Sequence, residues 1–337
     1  MRAFGTDFAV PSGYLNTPSV GIPPAPVAEA VAESVERWRT GAIRPDEFDE
    51  HVARARAGFA RLVGVEPGRV ASGASVSQLI ANVAAALPDG TRVLTAEGDF
   101  TSVTFPFAVH PGVTVTEVPL EELPSRVEGH DVVAVSVVQS ADGRIADLPA
   151  LRAAAEAAGA AVLLDATQAV GWLPLNLAWA DWVAGTGYKW LGSPRGSAWL
   201  AVRPDAQERT RAVAANWYAG EDPWATVYGL PLRLAGDARA FDLSPAWLAQ
   251  VGSAVALEYF AGLDLAQVQA HNVGLADTLL EKLGRPPRGT AIVSLEGDPA
   301  RVAEAGIVSS VRGGRVRVGF HLYNTPDDVE RVLPAFE

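Results

Sequence analysis

Two residues carry the chemistry this sequence announces. Lys189 stands in Gly185-Thr186-Gly187-Tyr188-Lys189-Trp190-Leu191, and Asp165 ends the apolar run Val162-Leu163-Leu164-Asp165. An amine after a short strand, preceded by a carboxylate at a strand end, is what pyridoxal 5'-phosphate chemistry requires. The amine forms a Schiff base with the cofactor aldehyde, and the carboxylate keeps the pyridine nitrogen protonated so that the ring accepts electrons. Either residue alone reads as a surface lysine or a turn aspartate. Together they predict a pyridoxal phosphate enzyme with Lys189 as the catalytic residue.

Such a site needs an anion cradle, a ring cover and a substrate clamp. The cradle is expected at Ser72-Gly73-Ala74-Ser75-Val76-Ser77-Gln78, where free N–H groups at a helix start favour phosphate and Ser75 adds a hydroxyl. Thr186 and Tyr188 reach the same phosphate from the strand side. Phe100 follows a strand and is the candidate to stack on the pyridine. Gln168 is placed to hydrogen-bond the phenolic oxygen. A carboxylate is best held by a planar guanidinium. In Val311-Arg312-Gly313-Gly314-Arg315-Val316-Arg317-Val318, Arg312 beside the turn glycines is assigned as the clamp, Arg315 reads as solvated and Arg317 as structural.

The elements that position these residues alternate. Helices are predicted over 24–40, 46–63, 76–87 and 147–158, with another starting near Phe100. Strands are predicted at 92–95, 113–116, 131–138, 161–164, 181–184 and 197–202, several of them apolar throughout. This is an α/β pattern with a mostly parallel, doubly wound sheet. From about residue 241 the texture changes to helices at 247–261 and 265–283, strands at 291–295, 307–311 and 315–320, and a final helix capped by Thr325. The expected organisation is an N-terminal segment (1–20) near the active site, a large cofactor-binding domain (21–240) and a small C-terminal α+β domain (241–337).

Three segments carry a family resemblance: Leu163-Leu164-Asp165-Ala166-Thr167-Gln168-Ala169-Val170-Gly171, Gly187-Tyr188-Lys189-Trp190-Leu191 and Arg317-Val318-Gly319-Phe320-His321-Leu322-Tyr323-Asn324-Thr325. They resemble the class V aminotransferases, a family that includes cysteine desulfurases, isopenicillin-N-epimerase-like proteins and kynureninases. The resemblance runs from about Leu15 to Leu333. It implies fold type I and a homodimer with active sites at the subunit interface. It also implies Lys189 as the Schiff-base lysine, Asp165 as the pyridine partner and Gln168 as the phenolate neighbour. Ser75, Val76 (through its backbone), Thr186 and Tyr188 take phosphate roles, and Trp217 lies in a segment lent by the neighbouring subunit. Ser140 and Asn16 are assigned to the substrate with Arg312, although the spacing before Arg312 leaves Arg317 open.

The departures narrow the activity. The chain has no cysteine, so a persulfide-forming desulfurase is excluded. Phe100 and Tyr188 are closer to the kynureninase pattern, whereas Gln168 departs from it. The expected function is an aminotransferase acting on the α-amino group of an amino acid, with a C–S or other β-lyase, or an epimerase, as alternatives. A regulatory module is set aside because the lysine, aspartate and arginine are all retained. Tyr218 to Trp224 is expected to be a mobile, specificity-setting loop. The nine tryptophans, Trp172, Trp190, Trp217 and Trp224 among them, suggest an aromatic-lined pocket.

Bulk properties agree with such an enzyme. The 337 residues suggest more than one domain, and 27 basic against 39 acidic residues give a net charge of −12. That charge disfavours nucleic acid or an anionic membrane as partner. With neither a signal peptide nor a membrane span in the sequence, the expected location is the cytoplasm.

Overall fold

The strand runs are apolar at every position because both faces of their sheet are covered. Val133, Val135 and Leu164 enter one core with Phe59, Val63, Trp199 and Leu257. Their neighbours Val132, Ala134 and Leu163 enter a second core with Leu79, Ile80, Val103 and Phe107 on the opposite face.

The computed structural model describes residues 1–336. Its strands are β1 (Arg2–Ala3), β2 (Thr6–Asp7), β3 (Val70–Gly73), β4 (Arg92–Ala96), β5 (Thr114–Val118), β6 (Val132–Ser136), β7 (Ala161–Asp165), β8 (Trp182–Thr186), β9 (Ala198–Val202), β10 (Ile292–Leu295), β11 (Ser310–Arg312) and β12 (Arg315–Gly319). The helices are α1 (Ala25–Arg39), α2 (Phe48–Val63), α3 (Val76–Ala84), α4 (Thr101–Ala108), α5 (Leu123–Arg126), α6 (Leu148–Ala158), α7 (Trp247–Ala261), α8 (Leu265–Lys282), α9 (Pro299–Glu304) and α10 (Pro326–Val332). Seven strands form the large sheet in the order β3-β9-β8-β7-β6-β4-β5. Strands β4 to β8 run parallel, and β9 is antiparallel to both of its neighbours, β8 and β3. The smaller sheet, β10-β12-β11, is antiparallel.

Local chemistry explains the element ends. Asp147 accepts from the Ala150 N–H at 3.0 Å to start α6, and Gly159 ends it at φ 69°. Thr325 and Asp328 form a reciprocal capping box on α10. Helix α3 stops at Ala84, short of the expected Leu87. Strand β11 covers Ser310–Arg312 rather than 307–311. The earlier residues are taken by the N-terminal segment: Leu15 N–H donates to Val308 O at 3.0 Å, and Val308 N–H to Gly13 O at 2.9 Å. Ala256, Leu257 and Phe260 of α7 enter the same core as Val133, Val135 and Leu164 of the large sheet.

The N-terminal segment is held against both domains. Tyr323 Oη meets Thr17 Oγ1 at 2.5 Å, and Asn324 Nδ2 donates to Tyr14 O at 3.0 Å. The Tyr-Asn-Thr motif is thus a clamp on residues 14–17. Beyond it, Gly21 N–H donates to Tyr188 O at 2.9 Å. A Cβ on Gly21 would lie 1.7 Å from the Lys189 carbonyl oxygen, so only glycine fits there. No described helix is long and apolar enough to cross a membrane.

Candidate active site

The carboxyl ends of the parallel strands deliver the site. Ser136 ends β6, Asp165 ends β7 and Thr186 ends β8, where a doubly wound sheet leaves its crevice. A cavity of about 530 Å³ opens there, walled by these residues, by the start of α3, by Pro18 and Ser19, and by β11 and β12 of the small sheet.

Lys189 projects into this cavity at 5% exposure. Its Nζ lies 5.2 Å from the Phe100 ring centroid and 5.7 Å from that of Tyr188. Burial pushes the amine down to about 8; Asp165 opposes the shift, and Arg317, Arg312 and Arg195 add to it. Asp165 is 4% exposed and accepts the Thr167 N–H at 2.8 Å. Burial raises its carboxyl, against that N–H and the Lys189 charge. The Thr167 hydroxyl is buried without a partner on the same wall.

Phe100 is fixed from behind by Asp99, which sequence reasoning missed. Asp99 accepts the Phe100 N–H at 2.6 Å, the Ser136 hydroxyl at 2.5 Å and the Ser136 N–H at 2.8 Å. This ties the start of α4 to the end of β6. Ser75 caps α3 by accepting the Gln78 N–H at 3.4 Å. The N–H groups of Val76 and Ser77 have no acceptor among the described residues and border the cavity. The Thr186 hydroxyl donates to Ser197 O at 2.9 Å, so it braces β8 to β9 while lining the wall. Tyr188 lies between two cations, Lys189 and Arg195, whose guanidinium carbon is 5.1 Å from the ring centroid.

Gln168 is more committed than expected. Its Nε2 donates to Pro18 O at 3.0 Å and Ser140 Oγ at 3.1 Å, and its Oε1 accepts Trp190 Nε1 at 2.8 Å. It welds the N-terminal segment to the large domain. Ser140 in turn receives Arg317 Nη1 on its hydroxyl at 3.1 Å and also on its carbonyl.

Both candidate arginines line the cavity, in different surroundings. Arg312 is exposed on the edge strand and donates to its own Val311 carbonyl at 2.8 Å. Arg317, read as structural, is 1% exposed, lines the cavity and has no carboxylate partner among the described residues. Its partners are neutral: Ser140, Ser310 Oγ at 3.2 Å and Ser19 Oγ at 2.9 Å. Burial, with Arg312 second, pushes it down to about 10. Within β12 Arg315 and Arg317 alternate with Val316 and Val318, so the sequence does not separate the fully buried arginine from its neighbour.

Two other expectations, at Asn16 and at the tryptophan-lined pocket, are corrected. Asn16 does not line the cavity; it pairs with Gly319 in a β-bridge, and Pro18 and Ser19 reach the wall instead. Trp217 packs on Trp224 at 5.1 Å between centroids and does not line the cavity of its own chain, which leaves open the expected role in a neighbouring subunit. The loop to Trp224 is tied to α2 by Trp224 Nε1 donating to Asp49 Oδ2 at 2.7 Å. No tryptophan lines the cavity; Trp172 and Trp190 are core residues behind Gln168. The wall is rich in serine instead, with Ser19, Ser75, Ser77, Ser102, Ser136 and Ser140.

Comparison with known proteins gives the family and the fold. Residues 14–305 match the sequence profile of the family described as Aminotransferase class-V. The chain is 24% identical to the uncharacterized aminotransferase YcbU of Bacillus subtilis, over 91% of this chain and 89% of that one. It is 27% identical to the kynureninase of Deinococcus radiodurans, over 95% and 88% of the two chains. Among solved structures, a complex of the cystine C-S lyase C-DES with cysteine persulfide superposes with a TM-score of 0.86 at 18% identity, covering 96% of each chain.

Proposed function

The chain belongs to the class-V aminotransferase family, and from that premise we propose an aminotransferase that acts on the α-amino group of an amino acid through Lys189. Its fold is fold type I and its cofactor is pyridoxal phosphate. The residues present fit that cofactor. Asp165 has a second carboxylate oxygen with no donor among the described residues, and the buried Thr167 hydroxyl has no partner. The Val76 and Ser77 N–H groups at the start of α3 are free for a phosphate.

The cofactor supplies an aldehyde carbon that captures the amine and a ring that accepts electrons from the bond broken at Cα. Asp165 holds the ring nitrogen protonated, and its burial keeps water from competing. The Val76 and Ser77 N–H groups and the Ser75 hydroxyl hold the phosphate, and Phe100 covers the ring. Arg317 binds the substrate α-carboxylate; Ser140 and Ser19 fix the plane of its guanidinium. Lys189 Nζ would take the proton from the substrate Cα and, as the one amine on the wall among the described residues, would hold it for return. Burial pushes the Lys189 amine down, toward its neutral form, which is the direction a general base needs.

The observation that carries this reading is a single depressed base, Lys189, sharing a cavity with the buried, unpaired Arg317. Epimerisation calls for a second proton carrier, and elimination for an acid at the leaving group. Besides Asp165, engaged at the ring nitrogen, the wall offers serine hydroxyls, arginines and Tyr188, which burial raises above its ordinary value.

The test incubates cofactor-loaded enzyme with single amino acids and no acceptor. One 2-oxo acid per subunit, with lasting conversion of the cofactor to its amine form, supports the proposal. Continuous ammonia release, or inversion at Cα, sinks it. The same reading makes the enzyme a homodimer, because the segment after Trp217 exposes Tyr228 at 87% and Leu230 at 90%. Light scattering at the mass of one chain would remove that part.

A further inference from the structure

Strands β11 and β12 bring three arginines to one face. Arg312 pairs with Arg315 across the hairpin and Ser310 with Arg317, so these four side chains share a side of the small sheet. The arginine outside the cavity has an acid: Arg315 meets Glu296 at 3.1 Å. The two that line the cavity have none among the described residues. Instead both reach the same hydroxyl, with Ser19 Oγ 2.9 Å from Arg317 Nη2 and 3.4 Å from Arg312 Nη2.

Two guanidinium groups joined at one neutral oxygen repel each other. In a chain of 39 acidic and 27 basic residues the lack of an acid here is local, and among the described residues Asp165 is the one carboxylate on the cavity wall. A pair of close, uncompensated cations beside an amine site is built for two negative charges on one small molecule.

We propose that Arg312 and Arg317 form a two-anion site, and that the amino donor is a dicarboxylic α-amino acid. Arg317 holds its α-carboxylate and Arg312 its side-chain carboxylate. The two donor nitrogens are bridged by a single hydroxyl, so the carboxylates must be separated by a short carbon chain, as in aspartate or glutamate. This rests on the reading of the cavity as an amino-acid site and adds the class of side chain it takes.

The test pairs binding with turnover on the holoenzyme. By calorimetry, succinate and glutarate, which have no amine to react, should bind about 10- to 100-fold more tightly than butyrate. Arg312→Gln should erase most of that margin, and Arg312→Lys should keep part of it. In turnover, the kcat/KM ratio of aspartate over asparagine, or glutamate over glutamine, should fall at least about tenfold in Arg312→Gln. Equal binding of succinate and butyrate by the wild type, or equal loss of both in Arg312→Gln, overturns the inference. If neutral amino acids convert the cofactor and acidic ones have no advantage, this inference fails and the aminotransferase reading stands. If the dicarboxylate margin holds through Arg312 but no amino acid converts the cofactor, the aminotransferase reading fails instead.

Discussion

Two regions of this molecule each bury an arginine and an aspartate, with opposite results. Beneath α2, Arg56 is 8% exposed and Asp242 2%. They meet at 2.6 Å, and Asp242 also accepts the Ser72 N–H at 2.7 Å. In the cavity, Arg317 is 1% exposed and Asp165 4%, yet neither makes an ion pair among the described residues. Burying a charge is costly unless it is matched. In the first region the match is internal, and the pair holds β3 against the 3-10 turn over Ala238–Phe241. In the second neither charge is matched among the described residues, and in the proposed function the cofactor and the substrate carboxylate would supply the partners. Burial alone does not mark a functional charge, whereas burial without an opposite charge does.

The strongest way to break this contrast is at the residue between the two unmatched charges. Lys189→Ala should abolish covalent cofactor attachment and lower turnover by about 10²- to 10⁴-fold, the usual range for a lost proton carrier. Retained turnover with an unchanged absorbance spectrum would dissolve the site altogether. Next comes the matched region. Arg56→Met leaves Asp242 buried without its cation and should cost about 3–5 kcal/mol of unfolding free energy. Denaturant titration measures it, and a loss within the error of the wild type would show that the pair is not structural.

Arg317→Met sharpens the comparison from the other side. It removes a buried cation with no carboxylate to strand, so stability should hold or rise. Substrate KM should increase about 10- to 100-fold through the lost charge-assisted bonds. A variant as destabilised as Arg56→Met would erase the distinction between the regions.

The parts of this contrast readable from sequence were those encoded by neighbours in the chain. Lys189, Asp165 and the helix start at Ser75 sit within short motifs, and the apolar strands around them announced a buried parallel sheet. Arg317, read as structural, is proposed as the clamp because of what is missing around it, and an absent carboxylate is a fact about folded space. Asp99 was invisible for the same reason: its partners at Ser136 come from another strand. Asn16 was misplaced because the clamp by Tyr323 and Asn324, far along the chain, decides which N-terminal residue reaches the wall. Trp172 and Trp190 were read as pocket because hydrophobicity does not say which side of Gln168 a ring occupies.

The pH dependence of stability tests whether the cavity charges carry an unrelieved cost. In the cofactor-free protein Lys189 titrates near 8 rather than its ordinary 10.5 because it is buried. Below pH 8 both folded and unfolded chains carry the proton, and folding bears the full penalty of burying the ammonium. Between pH 8 and 10.5 the unfolded chain keeps a proton that the folded chain has released, so stability must rise with pH, by at most about 1.4 kcal/mol per unit. Lys189→Met lacks this gain, so it should be the more stable protein at pH 7 and its advantage should shrink steadily toward pH 10. Reading the difference between the two proteins cancels titrations they share, including that of Arg317 near 10. A gap that stays constant from pH 7 to 10 would mean that Lys189 is already compensated inside the fold, which would move it from the unmatched region of this molecule to the matched one.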